Sequence, residues 1–129
     1  MSGYSNGGGG GGSGNFQFTW EYVSATTKAA EVNYGYLVDN ASQVVVTLPS
    51  TAARLTIIRI KGMGAGGWRL SQNAGQTIIW DESASTTTGV SGYLESTDDN
   101  DAVELICTVE DDTWEVLSSM GNITVVIGS

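Results

Sequence analysis

Short apolar runs separated by turn signals limit the fold of this chain more than any other feature. Phe16, Phe18, Trp20 and Tyr22 alternate with polar residues, which is the two-residue period of a half-buried strand. Residues 24–30 are the only weak candidate for a helix. Further strands are predicted over 32–38, 43–48, 55–61, 68–72, 77–80, 92–96, 102–109, 113–119 and 123–127. The spacing predicts an all-β fold, an antiparallel β-sandwich or jelly roll of about 8–10 short strands.

The N-terminal region has a different composition. An unbroken glycine run spans residues 7–12 and is closed by Ser13 and Gly14. Such a segment has high backbone entropy and no side chains to bury. We therefore expect a flexible tail or linker over residues 1–14, either natural or introduced, and a single β-domain over residues 15–129. The first six residues have neither a basic start nor an apolar stretch, so we expect no signal peptide and no membrane insertion.

The charge and the chemistry of the side chains exclude several functions. The chain of 129 residues has 14 acidic and 5 basic residues, a net charge of −9, which would repel a nucleic acid. It contains no histidine and one cysteine, Cys107. Ser-His-Asp catalysis, histidine-ligated zinc and an internal disulfide are therefore excluded. We expect no catalytic residues, no cofactor and no enzymatic activity.

Asp98, Asp99 and Asp101 belong to the strongest acidic cluster. Carboxylates on neighbouring loops can bind calcium, which takes six to eight oxygen ligands. The segment nevertheless lacks the glycine and the terminal glutamate of the EF-hand loop. We expect these aspartates to be solvated turn residues and no metal to bind, although they are the residues that would form such a site.

Residues 62–67 match the G-x-G-x-x-G pattern of dinucleotide-binding loops. The pattern also requires a helix at once, and the segment from Trp68 to Gly75 is too short before its turn to provide one. We therefore expect the glycines to allow close approach of two backbone segments. A similar spacing joins Trp114 to Gly121, so two similar hairpins are predicted.

Apolar side chains define the predicted core. Cys107 shares a strand face with Val103, Leu105 and Val109, so its thiol is expected to be buried. The four tryptophans, Trp20, Trp68, Trp80 and Trp114, could stack on sugar rings. Most alternate with polar residues, so we expect them to face the core or a subunit contact, with the core favoured. Some strands, such as 44–46 and 125–127, are apolar on both faces. A neighbouring subunit is the expected cover for their second face.

Several stretches resemble a known group of proteins. They are Gly64–Ile78, Ser91–Leu94, Asp101–Val109, Trp114–Ser119 and Gly121–Val125. Together they resemble the small trimeric β-domains at the ends of phage tail fibres and of related viral fibre-like proteins, over roughly residues 16–127. Residues 53–56 depart from the resemblance, because a turn of Gly-Asp type is expected there.

The resemblance implies a homotrimer that attaches a virion to its host. Glycan is the usual ligand class, although a protein receptor remains open, and the expected location is the extracellular virion fibre. No catalytic or ligand-binding residue carries over, because the shared motifs are structural. Two alternatives remain: a purely structural trimerisation or folding module without a ligand, and a glycan depolymerase.

Overall fold

The computed structural model describes residues 18–128, and that part of the chain is built from strands and loops without a helix. The predicted tail over 1–14, Phe16 and Ser129 lie outside the described residues. The strands are β1 Thr19–Val23, β2 Thr27–Ala29, β3 Tyr34–Val38, β4 Val44–Thr47, β5 Ile57–Gly62, β6 Trp68–Ser71, β7 Thr77–Asp81, β8 Ala84–Ser85, β9 Tyr93–Glu95, β10 Ala102–Val109, β11 Thr113–Met120 and β12 Thr124–Val126.

The strands form two sheets that face each other across one core. The large sheet has the order β1-β3-β5-β10-β11-β7-β8, and the small sheet has the order β12-β9-β6-β4-β2. The predicted all-β sandwich is therefore confirmed. Two strands were not predicted: β2 lies within the weak helical candidate, and β8 lies in a segment that has the composition of a polar loop.

The sheets are mixed rather than purely antiparallel. From β1 to β7 the chain passes alternately between the two sheets, so β1, β3 and β5 run parallel, as do β2, β4 and β6. The hairpin of β10 and β11 is inserted between β5 and β7. The antiparallel prediction was wrong here because a turn residue shows that a strand ends, but not which sheet the chain enters next.

The two segments predicted as hairpins are instead crossings between sheets. After Trp68 in the small sheet the chain turns at Gly75, with φ of +82°, and enters the large sheet. After Trp114 in the large sheet it turns at Gly121, with φ of +90°, and enters the small sheet. Each glycine adopts a left-handed conformation that residues with a side chain rarely adopt. Both indole rings are fully buried in the core.

Cys107 lies in the core beside Leu105, as predicted, and its burial raises the pKa of the thiol. Val109 does not share this environment and is 44% exposed. A bulge between Cys107 and Val109 interrupts the alternation of β10, so the predicted face ends two residues early. The strands that are apolar on both faces bury one face in the core. Their outer residues, such as Val45 and Ile57, are half-buried within the single chain.

The glycine loop confirms the predicted close approach of backbone segments. A Cβ atom on Gly62 would lie 2.2 Å from the carbonyl oxygen of Asp99, and one on Gly66 would lie 2.0 Å from the carbonyl carbon of Ser42. No helix follows the loop, because β6 begins directly at Trp68. The loop therefore packs the crossing between β5 and β6 against two neighbouring turns.

Candidate functional site

Trp20 forms an aromatic platform on the outer face of the large sheet. It lies on the edge strand β1, opposite Gly35 of β3, and 52% of its surface is exposed. A Cβ atom on Gly35 would lie 2.7 Å from both Cδ2 and Cε3 of the indole. The ring therefore lies flat on the glycine backbone, because any side chain at that position would occupy its place. The opposite ring face points away from the sheet.

Phe18 and Arg59 support the platform from one side. The ring of Phe18 meets that of Trp20 edge-on, with centroids 6.0 Å apart and an interplanar angle of 67°. The guanidinium carbon of Arg59 lies 4.4 Å from the centroid of Phe18, a cation–π contact. These contacts connect the edge strand to β5 across the space that Gly35 leaves open.

A groove of about 280 Å³ extends from Trp20 across the large sheet. Because β3 contributes no side chain beside Gly35, the groove continues to β5, β10 and β11. The outward side chains that line it are Trp20, Arg59, Lys61, Glu104, Ser118 and Met120. The groove therefore combines an aromatic face with charged and hydroxyl groups.

An ion pair lies in the middle of this groove. Arg59 and Glu104 are directly opposite each other on β5 and β10, and Nε of the arginine lies 2.6 Å from Oε2 of the glutamate. The hydroxyl of Ser118 donates to Oε1 of the same carboxylate at 3.4 Å. Both charged groups are therefore partly paired within the groove.

Lys61 lies in the groove without such a pairing. Its ammonium group donates to the carbonyl oxygens of Asn100, at 2.7 Å, and of Gly62, at 3.3 Å. Within residues 18–128 the ion pairs are formed by Lys28, Arg59 and Arg69. The charge of Lys61 is therefore balanced by main-chain dipoles and not by a carboxylate.

A second groove lies on the other side of Trp20. It has a volume of about 410 Å³ and is lined by Trp20, Glu21, Tyr22 and Leu37. The hydroxyl of Tyr22 donates to Oδ2 of Asp39 at 2.5 Å, and this bond raises the pKa of the tyrosine. Trp20 therefore separates two grooves and can contact a ligand that enters either of them.

The expectation that Trp20 faces the core was wrong, whereas its alternative, a subunit contact, stays a prediction. Trp68 and Trp114 are fully buried and Trp80 is partly buried, whereas the face of β1 that carries Trp20 and Tyr22 points outward. The buried residue of that strand is Val23, from the other face. Alternation indicates two unlike faces, but it does not tell which one meets the core.

The three candidate aspartates lie in a turn that they help to close. The carboxylate of Asp101 is buried and accepts bonds from the backbone nitrogens of Thr97, at 2.9 Å, and Asp98, at 3.1 Å. Asp98 and Asp99 are exposed. Among residues 18–128, no group of three or more histidine, cysteine, aspartate or glutamate side chains could hold a metal ion.

The main-chain carbonyl of Asp101 also connects this turn to the rest of the fold. Its carbonyl oxygen accepts bonds from the backbone nitrogen of Gly62 and from Nε1 of Trp68, both at 2.9 Å. The residue therefore connects the acidic turn to the glycine loop and to a core tryptophan. The carbonyl could come from any residue, whereas the bonds that Thr97 and Asp98 donate require the aspartate side chain.

No protein-family model and no curated protein matches the chain. In the part of the chain that the structure describes, no helix has the length and apolar character needed to cross a membrane.

Proposed function

We propose that this domain is a non-enzymatic attachment module that binds a glycan across the Trp20 groove. The observation that carries the proposal is the Trp20 indole, which lies flat on Gly35 and is half-exposed. Burying a large aromatic ring is favourable, so the half-exposed indole would gain free energy from contact with a bound partner. The sequence resemblance supports a location for this domain at the end of a trimeric virion fibre that contacts the host.

The chemistry of the groove suits a sugar. One face of a pyranose ring presents C–H bonds, and the electron-rich face of an indole attracts their positive ends. Its hydroxyl groups need both donors and acceptors around them. Arg59, Glu104 and Ser118 supply these groups beside the platform.

The same groove favours binding over cleavage. Hydrolysis of a glycosidic bond commonly uses two carboxyl groups about 5–9.5 Å apart, on either side of the bond. Among the residues that line this groove Glu104 is the single carboxylate, and it is already paired with Arg59. This arrangement supports the attachment module over the depolymerase.

A second observation supports the trimer. Val90 and Ile127 are large, apolar and exposed. The backbone nitrogen of Thr87 donates to the carbonyl oxygen of Ile127 at 2.7 Å, which places the end of the chain along the segment that contains Val90. Exposed apolar side chains in this region support contact with further copies. It equally supports the structural module without a ligand, so the oligomeric state must be measured apart from binding.

Light scattering at low micromolar concentration tests the trimer. We expect a mass about three times that of the chain, which is 13.5 kDa. A mass near 13.5 kDa would contradict this part of the proposal without affecting the Trp20 groove.

A glycan array tests the attachment function. We expect the full chain to bind at least one glycan class, and Trp20→Ala to lower that affinity at least tenfold. Tyr93→Ala is the matched control, because it removes an aromatic ring from the outer face of the small sheet. Binding that survives Trp20→Ala would overturn the site. A trimer that binds no glycan would leave the structural module as the function.

A further inference from the structure

We infer that the glycan held by the Trp20 groove is anionic, with its carboxylate or sulfate bound by Lys61. This inference rests on the proposed function, because it names the class of glycan that the same groove would select. The first observation is that charge is distributed differently in the groove and in the rest of the chain.

The groove has the opposite charge balance to the chain. The whole chain has 14 acidic and 5 basic residues. The groove is lined by two of the bases, Arg59 and Lys61, and by one of the acids, Glu104. Its side chains therefore carry a net positive charge although the chain carries −9. A site for a neutral sugar gains nothing from such a reversal, whereas an anion would otherwise be repelled.

Lys61 is the group that carries this excess charge. Glu104 neutralises Arg59 at 2.6 Å, so the second cation of the groove is the one left over. An ammonium group has three donors, and Lys61 directs two of them to the carbonyl oxygens of Asn100 and Gly62. The carbonyl groups orient the ammonium without forming an ion pair. Asn100 lies within the acidic turn 98–101, whose carboxylates form no ion pair with Lys61 among the described residues.

The remaining basic residues either form an ion pair or lie outside the groove. Lys28 pairs with Glu21 at 2.8 Å, and Arg69 pairs with Glu95 at 3.0 Å. Arg54 donates from Nε to the carbonyl oxygen of Thr108 and is not among the residues that line the groove. Among the described residues, Lys61 thus combines the lack of an ion-pair partner with a place in the groove that Trp20 also lines.

The two groups together predict how the ligand lies. The ring of one sugar stacks on Trp20, and the acidic group of that sugar or of its neighbour reaches the ammonium of Lys61. Such a charge-assisted bond is stronger than a bond between neutral groups. Because it forms at a surface, the attraction is screened by salt.

The experiment uses the full chain and an array in which each acidic glycan stands beside its carboxyl-reduced or desulfated neutral counterpart. We expect the wild type to bind an acidic member at least tenfold more tightly than its neutral counterpart at low salt. Lys61→Gln should reduce that preference to less than threefold, while Lys61→Arg should retain it. Arg54→Gln is the matched control, since it removes one positive charge outside the groove and should change affinity less than twofold.

The outcomes separate the inference from the proposed function. Equal binding of acidic and neutral members, lost in Trp20→Ala, would overturn the inference and support the glycan site. A preference for acidic members that Lys61→Gln leaves intact would also overturn it. Absence of binding to every glycan would overturn both. Thermal unfolding verifies that each variant is folded. If Lys61→Gln does not fold, the preference of Lys61→Arg for acidic over neutral members provides the test.

Discussion

The outer faces of the two sheets each carry an arginine that stacks on an aromatic ring and pairs with a glutamate, but the large sheet also carries an exposed indole and a lysine without an ion pair in the described part of the chain. On the small sheet, the guanidinium carbon of Arg69 lies 3.9 Å from the centroid of Tyr93, and its Nη2 lies 3.0 Å from Oε2 of Glu95. Aromatic ring, cation and carboxylate therefore satisfy one another. On the large sheet, the outward face of Trp20 is open and Lys61 has no carboxylate partner among the described residues.

In a chain without a catalytic motif, a ligand is expected at the face whose groups have fewer partners within the chain. A surface whose groups are paired with one another gains little from a partner, because each new bond replaces an existing one. A surface that keeps an aromatic ring exposed and a cation unpaired gains from both. We therefore expect substitutions on the two faces to differ in their effects, most strongly at Gly35 and least at Glu95.

Gly35→Val tests whether the open face depends on a glycine. The valine side chain would occupy the place of the indole, since a Cβ atom alone lies 2.7 Å from the ring. We expect a loss of about 1–3 kcal/mol in the free energy of unfolding, as for other overpacked positions, and greater acrylamide quenching of tryptophan fluorescence. Chemical denaturation and quenching measure these effects.

Ser71→Val is the control for that substitution. Ser71 is opposite Tyr93 on the outer face of the small sheet and is half-buried. We expect a change within about 0.5 kcal/mol in the free energy of unfolding, as for most surface substitutions, and unchanged quenching. Equal destabilisation by the two valines would remove the distinction between the faces.

Arg69→Met and Lys61→Met compare the two cations directly. Arg69 stacks on an aromatic ring and pairs with a carboxylate, so its loss should lower the free energy of unfolding by about 1 kcal/mol. Lys61 bonds to two exposed or partly exposed carbonyl groups, and its loss should change that energy by less than about 0.5 kcal/mol. Urea denaturation of both variants measures the difference, and a larger cost for Lys61 would reverse the comparison.

Glu95→Gln tests the closed face by its dependence on pH. A hydrogen bond from Gln43, followed by the bond and charge of Arg69, holds the pKa of Glu95 below its ordinary value of 4.5. The carboxylate therefore stabilises the native state above pH 4.5, and this contribution is lost as the pH falls through the lower native pKa. We expect the wild type to exceed the variant by less than about 1 kcal/mol at pH 6, with the difference shrinking toward pH 3.

The control for this measurement is Glu82→Gln, which removes the same charge from an exposed loop residue. Unfolding at matched ionic strength follows both variants over the same range of pH. A stability difference for Glu95→Gln that stays constant over that range would show that the small-sheet network contributes through packing alone.

The positions of the strands could be predicted from the sequence because apolar alternation and turn residues act locally. The strand over 102–109, the turn at Gly75 and the burial of Cys107 all followed from short-range patterns. The candidate site could not be predicted in the same way. Its ion pair joins Arg59 to Glu104, 45 residues apart, and its platform requires the pairing of Trp20 with Gly35.

Local patterns in the sequence therefore predicted many short strands, the positions of most of them, and the glycine loop at 62–67 that accepts close backbone contact. Long-range packing determines that consecutive strands enter opposite sheets and that the face of β1 with Trp20 points away from the core. The physical reason is that alternation repeats every two residues whichever side is buried. Which side is buried depends on packing against distant strands. In β1 the buried side is that of Val23, and Trp20 lies on the exposed side.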